Sequence, residues 1–188
     1  GTVKNVGVSG TVSATDYVSG VVGVNMGTTE NCYSTCAITS SASSYVGGIT
    51  GYNAGTIEKC YNTGDIFVYS DGSKSKYVGG IAGVDVKAAV IRSCYNTGDV
   101  RSDEFAGGVV GGLQGTLENC YNTGTISTTT DNRLGGVVGN FISGYSMSNC
   151  FYLTDSAEGA HNTGGTEIDA QFFADQSKFT DWDFDNVW

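Results

Sequence analysis

The line GTIEKCYNTGDI, running from Gly55 to Ile66, returns in altered form along the whole chain. It recurs as GTTENCYSTCAI from Gly27, AVIRSCYNTGDV from Ala89 and GTLENCYNTGTI from Gly115. A divergent first copy, GTVKNVGVSGTV, starts at Gly1, and a degenerate last one, YSMSNCFYLTDS, starts at Tyr145. A second block interleaves with these: YVSGVVG from Tyr17, YVGGITG from Tyr45, YVGGIAG from Tyr77, FAGGVVG from Phe105 and RLGGVVG from Arg133. Self-similarity of this kind marks a solenoid or array, in which each unit buries its apolar face against the next.

The units are not helical. Their apolar runs are short, rich in Val, Ile and Tyr, and broken by glycine every few residues, with no stripe of 3.6-residue period. A propeller blade needs about 40 residues or more, which is too long for a period of roughly 30. Three strand candidates per copy (Thr56–Tyr61, Asp65–Tyr69 and Tyr77–Ala82 in the third) fit one coil of a β-helix. The expected fold is all-β: a right-handed parallel β-helix of five to six coils, stacked at about 4.8 Å. Stacking places equivalent residues above one another. Val3, Ile57, Ile91, Leu117 and Met147 then form an inward ladder, with Thr29 the exception. Val12, Ile38, Ile66, Val100 and Ile126 form a second, and Val21, Ile49, Ile81, Val109 and Val137 a third. Cys32, Cys60, Cys94, Cys120 and Cys150 form a fourth, with Val6 in the same slot of the first copy. Their uneven spacing arises mainly in the polar expansion Ser70 to Lys76, as expected of tolerant outer turns. The pairs Gly47–Gly48, Gly79–Gly80, Gly107–Gly108 and Gly135–Gly136 mark a corner, where either positive φ or close backbone approach excludes a Cβ.

Residues 1–150 are therefore read as the repeat domain, and 151–188 as a capping segment of the same structural domain. An open coil end is an aggregation hazard unless covered. Thr166-Glu167-Ile168-Asp169 has the form of a capping box, which predicts a short helix over about 167–177. Trp182, Phe184 and Trp188 alternate with aspartates as an extended segment would.

Composition narrows the partners. Nineteen acidic against nine basic residues give a net charge of −10, which repels nucleic-acid phosphates and anionic lipid headgroups. No run approaches the roughly 20 apolar residues of a membrane span, so direct membrane insertion is not expected. With 29 glycines and no proline, glycine serves fixed backbone positions rather than a flexible linker. The chain opens inside a repeat without a signal peptide and is expected to be a piece of a longer polypeptide that carries the targeting elements elsewhere.

Catalytic stock is thin. The one histidine, His161, stands in a glycine-rich turn with no neighbouring ligand set. Once-per-coil cysteines follow the fold rather than a zinc site. They read as interior thiols before disulfides, because in-register parallel Cβ vectors suit the bridge dihedral poorly. Cys36, where later copies have Gly64, Gly98 and Gly124, either pairs with Cys32 or stays free. Asp65 and Asp99 are stacked equivalents, while Asp71, Asp103 and Glu104 lie in the variable connections; solvated surface is the first reading of all five. Asp181-Trp-Asp-Phe-Asp185 lacks the central glycine and distal glutamate of a calcium loop. No metal or cofactor is expected. Asn62, Asn96 and Asn122 read as an amide ladder. Since the preceding cysteine points inward, Tyr33, Tyr61, Tyr95 and Tyr121 point outward, with Thr35, Thr63, Thr97 and Thr123 parallel to them two residues along. This strip is the candidate binding surface, for a glycan chain or another protein.

The blocks GGIAG…GTIEKCYNTGDI and GGVVG…GTLENCYNTGTI resemble the GLUG motif repeat, and so does the closing stretch from Phe179 to Trp188. The resemblance implies a secreted or surface-anchored bacterial protein, since such repeats occur in large secreted and surface proteins of bacteria, adhesin-like proteins and some IgA-specific metallopeptidases among them. Those enzymes carry an HExxH zinc site that this chain lacks, so their proteolysis does not transfer. The resulting expectation is a non-catalytic structural or adhesive module, its partner a host or plant glycan or a surface protein. The alternatives are a carbohydrate-active β-helix enzyme using clustered carboxylates, or an accessory region of a larger secreted enzyme.

Overall fold

Each repeat winds once around a solenoid. The computed structural model describes residues 1–41, 45–69, 77–129, 133–157, 164–179 and 182–184. His161, Asp71, the Ser70–Lys76 expansion, Asp181, Asp185 and Trp188 lie outside the described residues. Every described strand pair is parallel, and all but the last, Phe151–Leu153 with Thr166–Ile168, join a residue to its equivalent in the next repeat. Ile57 pairs with Ile91, Ile91 with Leu117 and Leu117 with Met147. Ile38 pairs with Ile66, Ile66 with Val100 and Val100 with Ile126. The strands collect into one 11-stranded and three 5-stranded sheets. The expected all-β parallel β-helix is thus the fold, with five full coils and the start of a sixth.

The coil has five strands rather than three. In the third coil they are Thr56–Glu58, Tyr61–Asn62, Ile66–Val68, Tyr77–Gly79 and Ala82–Asp85. Two bends divide the runs that looked continuous. One lies at the residue before each cysteine slot: Asn5, Asn31, Lys59, Ser93, Asn119 and Asn149 all have φ between 50° and 57°. Asparagine, which tolerates the left-handed region better than other residues with a Cβ, holds four of the six places. The other bend is the glycine pair. None of these paired glycines has left-handed φ, so close approach is what excludes a side chain. A Cβ on Gly80 would lie 2.2 Å from the Gly108 carbonyl oxygen and 2.3 Å from Asn96 Cγ.

The core is a stack of ladders. Ile38, Ile49, Ile57, Ile66, Ile81, Ile91 and Leu117 are fully buried. Within this apolar interior run two ladders of polar groups. Asn62 Nδ2 donates to Asn96 Oδ1 at 2.9 Å and to Gly64 O at 2.7 Å. Asn96 repeats this with Asn122 Oδ1 at 2.8 Å and Gly98 O at 2.7 Å. Both amide protons are used, which is what makes burial of these groups tolerable. The second ladder runs from Asn25 Nδ2 to Asn53 Oδ1 at 2.8 Å, and from Asn53 Nδ2 to Asp85 Oδ1 at 2.6 Å.

The closing segment differs in detail from its expected form. Thr166–Ile168 is a strand that continues the sheet on Phe151–Leu153. Asp169, not Thr166, caps the helix, accepting from the Phe172 N–H at 2.7 Å. That helix is a single turn, Ala170–Phe173, followed by a 3-10 turn at Gln176–Lys178. Pairing with the sheet wins over the capping box because it satisfies a whole strand of backbone groups. Tyr152, Ala157 and Ile168 are buried over the last coil, while Phe173, Phe179 and Trp182 turn aside onto the lateral surface.

Two positions strain the ladders. Asp85 is paired in register with Leu113, which offers no donor, and its Oδ2 finds no partner among the described residues. Burial pushes its carboxyl up to about 7, with the hydrogen bond from Asn53 opposing. The folded chain therefore holds this proton more tightly than the unfolded one, so stability is full below the ordinary value of 3.8 and is lost as pH rises toward about 7. Asp85→Asn should flatten that loss and stabilise the chain at pH 8 by on the order of 2 kcal/mol, read from denaturant titrations at several pH values. Thr29 sits between Val3 and Ile57 with a buried hydroxyl that has no partner among the described residues. Thr29→Val should raise stability by about 1–2 kcal/mol in the same titration.

Candidate functional site

The left-handed residue before each cysteine sets which side chains face out. In the third coil Ile57 and Cys60 both point inward although three residues apart, so Glu58 and Lys59 are displaced to the outside together. The thiol closes the bend: Cys60 Sγ lies 3.2 Å from Glu58 O, and Cys32, Cys94, Cys120 and Cys150 make the same contact two residues back at 3.1–3.2 Å. All six cysteines are free and buried, Cys36 and Cys32 included. Hydrogen bonding to Cys94 and burial push the Cys60 thiol up, and burial first pushes up that of Cys120.

Beyond the bend the alternation resumes, so Tyr33, Tyr61, Tyr95 and Tyr121 project outward in register. Their rings stack with centroids 5.1, 4.9 and 4.9 Å apart and planes within 6° of parallel. Ring faces are therefore turned to one another, and the row presents edges and hydroxyls to its surroundings. The upper end is closed by the tail: Phe173 meets Tyr121 edge-on at 4.9 Å and Trp182 stacks on it at 5.9 Å. Phe179 packs on Phe173 and Trp182. At the lower end the Tyr33 ring lies over Gly7, where a Cβ would fall 2.2 Å from its Cζ.

Floor and tail enclose a groove of about 610 Å³. Tyr61, Tyr95 and Tyr121 form the floor; Asn31, Lys59 and Ser93, the residues of the left-handed bend, form one bank; Phe173, Gln176, Phe179, Trp182 and Phe184 form the other. Burial raises the Tyr121 and Tyr95 phenols, and neighbouring rings add to the effect. Three of the four expected tyrosines are thus brought together, and Tyr33 continues the row below the rim. Thr35, Thr63, Thr97 and Thr123 run parallel on the outer surface but do not line the groove. The bend residues and the tail aromatics were not anticipated as a site. The recurrent Asn before cysteine and the aromatic crowding after Phe172 are the signals that bear on them.

The candidate carboxylates are used otherwise. Asp65 accepts the Asp99 N–H at 3.0 Å and Asp99 accepts the Thr125 N–H at 2.9 Å, each tying a turn to the next coil. Asp103 accepts from the Thr129 hydroxyl, and Glu104 lies 3.7 Å from Arg133. A second aromatic row, Tyr17, Tyr45, Tyr77 and Phe105, stacks on another face and ends in Arg133, whose guanidinium lies 4.7 Å from the Phe105 ring centre.

The sequence profile of the GLUG motif matches residues 42–66 and 106–127. A protein of Evansella cellulosilytica described as a Gly-rich membrane protein is 39% identical over 93 residues, covering 44% of this chain. The chain spans only 11% of that relative's length. No solved structure matches the chain significantly. Among the described residues, no helix is long and apolar enough to cross a membrane.

The buried thiol ladder has a direct chemical consequence. A thiol reagent should modify close to none of the cysteines in the native chain and all 6 in denaturant. Rapid native modification of several would show that the bend is not closed by the thiols as described.

Proposed function

Starting from a chain that carries the GLUG repeat and forms a parallel β-solenoid, we propose that it is a non-catalytic binding module of a larger bacterial surface or secreted protein. Its groove holds an extended polymer, a glycan chain, along the tyrosine floor. The observation that carries this reading is the groove itself: three tyrosines at one regular spacing, faced by an aromatic bank. A repeating floor suits a ligand with repeating groups, and a concave aromatic site with a few polar side chains is the usual form of a small-ligand or chain site. The membrane description of the Evansella relative favours a place at the cell envelope. Against turnover, none of the described residues lining the groove is a carboxylate, whereas a glycosidase needs two within about 5–9 Å.

The edge-on floor specifies how such a ligand is held. Sugar rings have no free faces to stack on within the row, so contact falls to the phenol hydroxyls and to the bank of Phe and Trp. The test is a panel of plant and host glycans, scored at once for retention by the purified chain and for released sugar. Retention without release is expected. Tyr95→Phe, which keeps the ring stack and removes one hydroxyl, should weaken it roughly 3- to 10-fold, about 1 kcal/mol for one hydrogen bond. Released sugar that survives repurification would move the reading to an enzyme. Retention indifferent to Tyr95→Phe and to Trp182→Ala would remove the groove from the proposal.

A further inference from the structure

Charge is distributed unevenly between the groove and the rest of the chain. The protein has 19 acidic and 9 basic residues. Yet of the 12 described residues that line the groove only one is charged, and it is a cation, Lys59. The left-handed bend sets its backbone at φ 54°, and its N–H donates to Arg92 O at 3.2 Å. Its side chain is exposed, and its ammonium forms no ion pair among the described residues. The carboxylates beside the bank are engaged elsewhere: Glu58 pairs with Arg92, Glu30 pairs with Lys4, and Glu118 stacks in register with Arg92. None of the three lines the groove. We infer that the ligand is an acidic glycan, whose carboxylate or sulfate groups take hydrogen bonds from the Lys59 ammonium and the tyrosine hydroxyls. This inference rests on the glycan reading of the groove and adds the charge of the ligand.

The rest of the lining suits the same sign. Burial keeps the Tyr95 and Tyr121 phenols protonated, so the floor offers O–H donors and no negative charge. On the bank Asn31 and Ser93 add an amide and a hydroxyl. Anion oxygens only accept, so these groups match them, and a hydrogen bond between two charged partners is the strong kind. The net charge of −10 opposes such a ligand at long range. That field is screened beyond about 8 Å at physiological ionic strength, and at contact distance the lining presents donors and one cation. Spacing separates a glycan from other anionic chains. The rings repeat at 4.9 Å along the solenoid. Alternate side chains of an extended peptide repeat at about 6.4–6.8 Å, so an acidic peptide loses register within three rings. A nucleic acid needs several cations for its phosphates, and the groove has one.

The test measures the affinity of the purified chain for two matched pairs: polygalacturonate and its fully methyl-esterified form, and dextran sulfate and dextran. At least one acidic chain should bind about 10-fold more tightly than its neutral partner, and which one does so tells carboxylate from sulfate. Lys59→Asn removes the charge with the residue that four of the six bends already carry, so the bend is kept. It should weaken the acidic chain roughly 5- to 10-fold and leave the neutral one unchanged, and Lys59→Arg should retain most of the affinity. Equal binding of acidic and neutral chains overturns the acidic ligand while leaving the glycan reading in place. So does a preference for the acidic chain that is indifferent to Lys59→Asn. Retention of neither acidic chain overturns it as well, and neutral glycans then decide the glycan reading by themselves.

Discussion

Inward side chains in this fold lie one inter-strand spacing from their equivalents in the neighbouring coils, and that single constraint selects the residues that fill the core. A group can occupy such a ladder only if it is complementary to a copy of itself. Aliphatic side chains qualify by shape, which is why the fully buried positions are so largely Ile, Val and Leu. The carboxamide qualifies by chemistry, because it carries a donor and an acceptor and can pass one hydrogen bond upward in each coil. A carboxylate does not, since it only accepts. Asp85 accordingly stands at the end of its ladder, taking the bond from Asn53 and giving nothing on to Leu113.

The same constraint operates on the outside. Tyrosines stacked in register bury their faces against each other, and the row gains regularity at the cost of its platforms. The concavity beside the row comes from the left-handed residue before each cysteine, which puts two consecutive side chains outward and bends the strand. One backbone feature thus turns the thiol to the core, where it meets the carbonyl two residues back, and sets Asn31, Lys59 and Ser93 along the groove. Structure and site share a cause. The thiol ladder reads as part of the bend that shapes the groove, and no separate redox role is needed to account for it.

This division also explains what could be read from the chain alone. Ladders are legible because equivalence in sequence becomes contact in space; aligning Ile57, Ile91 and Leu117 already states their pairing. Parity carried the argument one step further, from an inward Cys60 to an outward Tyr61. It failed between Ile57 and Cys60, where a left-handed residue breaks the alternation. The tripeptides Asn31-Cys32-Tyr33 and Asn119-Cys120-Tyr121 hold the clue, since asparagine tolerates that conformation, yet Lys59 and Ser93 occupy the same slot and hide it. The ladder through Asn25, Asn53 and Asp85 was obscured likewise, because Leu113 follows where an amide is looked for. The tail belongs to no repeat. Nothing in register says that Phe173 and Trp182 turn aside to Tyr121 while Tyr152 and Ile168 cover the last coil.

The tyrosine row runs from the second coil to the fifth, most of the length of the described solenoid. Below, the row ends where Gly7 takes the tyrosine slot and Tyr33 leans over it; above, it passes into Phe151 and the tail. In the first coil Val6 and Gly7 interrupt both the thiol and the tyrosine ladders. The tail that turns onto Tyr121 closes the row at its upper end and supplies the aromatic bank of the groove.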